Sequence, residues 1–85
     1  MPEKGIILSQ ARTAIDLLER LPADSQWAHR GSGYRGALLR LTDSIREFEL
    51  VGHDRQREQV LLSRLQILVD ASFELLEKAA MELIG

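Results

Sequence analysis

Few side chains in this 85-residue chain could do chemistry. Arg46 and His53, with six residues between them, could supply a charge stabiliser and a general base. His29 is the other histidine, and there is no cysteine, so a structural zinc site, which needs a full set of nitrogen and sulfur ligands, is not expected. No phosphate loop, no pair of histidines at ligand spacing and no nucleophile with an obvious base is present. Carboxylates recur at helical spacing, as Asp16 with Arg20, Asp43 with Glu47 and Glu74 with Lys78. The first and last of these read as surface ion pairs worth about 0.2–0.5 kcal/mol.

The stretch DSIREFELV, Asp43 to Val51, resembles the segment around the phosphopantetheine-bearing serine of acyl carrier proteins, where an Asp-Ser-Leu triplet opens an acidic helix. The resemblance implies Ser44 as the attachment site and Glu47 and Glu49 as acids that recruit basic partner enzymes. Chain length and mild acidity agree with it. In that family, however, the serine begins its helix after a loop, whereas here Ala37 to Thr42 already carry a helical pattern. Two short later helices are also replaced by one unbroken pattern. RGSGYRG, Arg30 to Gly36, resembles the basic-Gly-small segment of histidine phosphotransfer domains. In that family the phosphorylated histidine lies three residues before the basic position, where this chain has Trp27; His29 is displaced by two. The Arg46 and His53 pair resembles that of helical ribonuclease toxins, but the two residues straddle an expected turn at Gly52. The reading adopted is therefore non-enzymatic and without cofactor or metal. An acyl-carrier-like role for Ser44 is the alternative.

The elements that would position these residues are three helices. Trp27, Gly31, Tyr34, Leu38, Leu41, Ile45 and Phe48 are spaced alternately four and three apart, which makes a helical seam. It predicts one helix over about residues 24–51, running through Gly31-Ser32-Gly33; the alternative is a break at those three residues with a short helical turn before it. Each interior glycine costs up to about 1 kcal/mol relative to alanine. Gly31 falls on the core face, where a missing side chain lets a neighbouring helix come close. A first helix over about 3–21 carries Ile7, Ala14, Leu17, Leu18 and Leu21 on one side, extended by Leu8, Ala11 and Ile15, and Pro22 ends it. Asp24 or Ser25 can cap the second helix and Asp54 the third. Gly52 suits a C-terminal cap, with His53 near the helix dipole. The third helix, about 54–84, contains neither glycine nor proline. Its stripe is Leu61, Leu62, Leu65, Leu68, Val69, Phe73, Leu76, Ala80 and Leu83, wide enough for two neighbours. The expected fold is all-α: a single domain, residues 1–85, forming an up-down-up antiparallel three-helix bundle with long second and third helices.

Composition narrows the function classes. The formal charge is −2 and apolar residues are 45% of the chain, which suits a packed domain and not a disordered one. Arg30, Arg35 and Arg40 lie five apart, so successive side chains turn by about 140° and share no face. Nucleic acid is not the expected partner. No apolar run approaches the roughly 18 residues of a membrane span, and MPEKGIILSQA lacks the apolar stretch of a secretory signal. A cytoplasmic location fits. The apolar ending, Met81 to Gly85, is compatible with a cut from a longer chain.

Helix lengths of about 28, 42 and 46 Å predict that the first helix stops short of the turn between the other two. Ile45, Phe48, Leu50, Val51, Val60, Leu61 and Leu62 would then stand on a bare two-helix tip, and exposed apolar clusters of this kind mark interaction surfaces. Val60, Ile67 and Ala71, opposite the main stripe of the third helix, are a weaker hint. The expected function is a helical protein–protein interaction module, an adaptor, regulatory or chaperone-like subunit. It would self-associate as a homodimer through that tip, or take a partner helix there.

Overall fold

The computed structural model describes residues 4–51 and 55–84. They form α1 (Lys4–Glu19), α2 (Gln26–Val51) and α3 (Arg55–Ile84), with no strand among the described residues. Each helix touches the other two, so the chain is an all-helical bundle. No described helix is long and apolar enough to cross a membrane.

The helix ends follow from local chemistry. α1 stops two residues before the expected Leu21. Its end tightens as the Arg20 and Leu21 amides donate to the Leu17 and Leu18 carbonyls at 3.1 and 3.3 Å, the three-residue closure common at helix termini. Pro22 then prevents continuation. Of the two expected caps for α2, Ser25 is used: its Oγ accepts from the Ala28 amide at 3.1 Å and donates to the Pro22 carbonyl at 2.8 Å. α2 accordingly begins at Gln26, two residues later than expected. Glu3, the Gly52-His53 turn and the Asp54 cap lie outside the described residues.

α2 is continuous through Gly31-Ser32-Gly33, and its seam divides into two lines of sevenfold spacing. Gly31, Leu38 and Ile45 are buried. Tyr34, Leu41 and Phe48 are only half-buried. Gly31 explains the first line, because a Cβ there would stand 3.1 Å from Leu18 Cδ2 and 3.2 Å from Leu21 Cδ1. The end of α1 therefore seats against Gly31, more than a turn into α2, and Glu19 pairs with Arg35 at 3.0 Å. That offset carries the start of α1 far enough for Lys4 Nζ to meet Glu58 Oε1 at 2.8 Å. For Ile45 and Leu62 the expectation of a bare tip is corrected: both are buried, because α1 does not stop short of them but begins beside Glu58.

The core joins Ile7, Ala11, Ala14 and Leu18 to Leu38 and Ile45, and to Leu62, Leu65, Val69, Leu75 and Ala79. On α3 the buried line reaches Leu75 and Ala79, and Ala80 is exposed, because the side chains that face two neighbours step round the helix by three or four residues. Buried Ser72 satisfies its hydroxyl by donating to the Leu68 carbonyl at 2.6 Å. Trp27 closes one end of the bundle. The residue is 9% exposed, its indole Nε1 donates to Glu82 Oε2 at 2.9 Å, and the Arg30 guanidinium lies 5.4 Å from the ring centroid. A buried indole whose N–H reaches a carboxylate leaves no polar atom unpaired.

Urea denaturation of four variants checks this account. Nothing lies within 4 Å of a Cβ added at Gly33 or Gly36, so Gly33→Ala and Gly36→Ala should each raise stability to urea by about 0.5–1 kcal/mol. Gly31→Val should lower it by about 1–3 kcal/mol through overpacking against Leu18. Trp27→Ala should cost about 3–5 kcal/mol in the same assay.

Candidate interaction surface

The residues with catalytic potential are scattered. Ser44 lies inside α2 and is half-buried, its Oγ donating to the Arg40 carbonyl at 2.9 Å. The helix start that an acyl-carrier segment places at this serine is absent, since α2 runs unbroken from Gln26 to Val51. His29 and Arg46 are exposed at different levels of α2, and His53 is outside the described residues. Trp27 occupies the position of a phosphorylated histidine and is committed to the core. Among the described residues no three His, Asp or Glu side chains cluster closely enough to hold a metal.

The residues expected at the tip separate into three groups. Ile45 is fully buried and Leu62 is 5% exposed, so both belong to the core; they face inward because α1 reaches them. Phe48 and Leu61 are half-buried, and Val60 is 51% exposed. The side chains of Leu50 and Val51 lie outside the described residues.

What the structure brings together is a crevice between α2 and α3. Three hollows, of about 700, 450 and 390 Å³, lie along it. Their floors follow one register. Stepping by sevens forward from Trp27 and back from Glu82 gives Tyr34 with Leu75, Leu41 with Leu68, and Phe48 with Leu61. Each pair lines one hollow. The half-buried line of α2 is thus the floor of a groove, and the Trp27–Glu82 contact belongs to the same register. Val60 and Ile67, 51% and 68% exposed, stand on its α3 wall. The two hints in the sequence, Phe48 and Leu61 near the hairpin end and Val60, Ile67 and Ala71 along α3, are parts of this one feature. Sequence periodicity treated the α2 seam as one line of equivalent positions. The splitting of that seam into two sevenfold lines was the available signal, but its meaning depends on where α1 packs.

The groove is basic at its rim. Arg40, Arg57 and Arg64 line the two larger hollows, and among the described lining residues Glu47 is the one carboxylate. At the other end Glu74 pairs with Lys78 at 3.4 Å, and Arg30 stays over Trp27. Arg40 and Arg64 make no ion pair among the described residues. Small residues, Ala37 and Ser44, form the α2 wall opposite Ile67 and Val60.

No known family model matches the chain, and comparison with curated proteins and with solved structures gave no match either.

The position of Ser44 in the helix generates a direct test of the carrier alternative. Incubated with coenzyme A and a broad-specificity phosphopantetheinyl transferase, the chain should show no mass gain in an intact-mass spectrum. A gain that Ser44→Ala abolishes would restore that alternative.

Proposed function

We propose that this chain is a non-catalytic helical interaction module, an up-down-up three-helix bundle that receives a partner helix along the α2/α3 groove. The up-down-up order is supported by contacts at both ends: Glu19 with Arg35 and Trp27 with Glu82 at one, Lys4 with Glu58 at the other. The observation that carries the functional reading is the exposure of Val60 and Ile67 beside a half-buried apolar floor. Burying side chains of this kind is worth roughly 1.5–3 kcal/mol each. A fourth helix set on the floor would bury them and complete a four-helix arrangement.

A second copy is the occupant expected from sequence. A two-fold dimer lays the same patch on both sides of its contact, so the groove would meet its own arginines. Charge therefore favours a helix from a different chain. Sedimentation velocity over a hundredfold dilution should give a compact monomer for wild type and for Ile67→Glu. A wild-type dimer that Ile67→Glu converts to a folded monomer would restore self-association through the groove. A dimer that survives Ile67→Glu would remove the groove from the contact.

A further inference from the structure

We infer that the occupant of this groove is an amphipathic helix of about four turns whose apolar stripe is flanked by carboxylates, supplied by a chain other than this one. The inference rests on the groove reading above and adds the chemistry of the partner.

Length comes from the floor. From Tyr34 to Phe48 the rungs cover fourteen residues of α2, about 21 Å of helix axis, and a partner spanning them needs about the same number. Its apolar side chains must recur every three or four residues to meet rungs spaced by seven. Polarity comes from the rim. Arg40 and Arg64 share the middle hollow, where no carboxylate stands among the described lining residues, and neither makes an ion pair among the described residues. This excess of positive charge sits on a chain of formal charge −2, so it is a local property of the groove. A helix with glutamates or aspartates beside its stripe neutralises the rim, and one with lysines is repelled. Charge at a rim acts on selectivity and association rate more than on total affinity, so the signature is a preference between otherwise identical helices.

Two designed peptides read that preference. They share one apolar stripe of four turns, and their flanking residues are glutamate in one and lysine in the other. Fluorescence anisotropy with the full chain should give binding of the glutamate peptide about tenfold tighter in low salt, a preference that shrinks at about 0.5 M salt as screening shortens the reach of the rim charges. Arg40→Glu with Arg64→Glu, both at exposed positions, should reverse the order of the two peptides. Ile67→Glu should abolish binding of both. Equal binding of the two peptides, lost on Ile67→Glu, would overturn the acidic partner and leave the groove reading intact. Binding indifferent to Ile67→Glu, or none by either peptide, would overturn both. Circular dichroism of each variant confirms that it is folded.

Discussion

The close approach at Gly31 governs the rest of the structure. With no side chain there, Leu18 and Leu21 reach the α2 backbone, and α1 seats at that level instead of at the first turn of α2. Every later position of α1 follows, because a helix is a rigid rule of about 1.5 Å per residue. Ala14 and Ala11, small and fully buried, continue the close packing. Ile7 fills the core near Ile45 and Leu62, and Lys4 arrives beside Glu58. A glycine that looks like a loop signal in the sequence is the contact that sets where α1 begins and ends against its neighbours.

The same seating decides what remains open. α1 covers the line of α2 marked by Gly31, Leu38 and Ile45, which leaves the line marked by Tyr34, Leu41 and Phe48 with α3 as its neighbour on the groove side. A third helix can close only one side of an α2/α3 pair. The other side is a groove by construction, and its character is set by the residues that flank it. Here those are apolar on the floor, basic at the rim and small on the α2 wall.

Much of this was legible in the residues. Helix number, the continuity of α2 through its glycines, the role of Gly31 and the burial of Trp27 follow from spacing and side-chain size. Two things were not legible. The offset of α1 depends on a contact between Leu18, Leu21 and Gly31 that periodicity alone does not register. Without the offset, Ile45 and Leu62 were assigned to an exposed tip although they are core. The broad stripe read for α3 included Ala80 and left out Leu75 and Ala79. Contact with two neighbours rotates that face, burying Leu75 and Ala79 and leaving Ala80 exposed. Individual faces were visible in the sequence, and their pairing needed the third dimension.

Where a small domain departs from its local rules is itself informative. An 85-residue chain without disulfides has little stability in reserve. Yet this one leaves Val60 and Ile67 in water, and it keeps Gly33 where nothing packs against the vacant Cβ position. Gly33 stands one helical turn before Ala37, on the same side of α2. An alanine at Gly33 and polar residues at Val60 and Ile67 would suit an isolated bundle better, since none of the three positions is needed for the core. Gly31, by contrast, is explained entirely within the chain. Ile6, Leu39 and Met81 are exposed as well, and Gly5 and Gly36 are as open as Gly33, but Val60 and Ile67 stand together on one groove wall, where one helix laid across it would bury both against the low α2 wall.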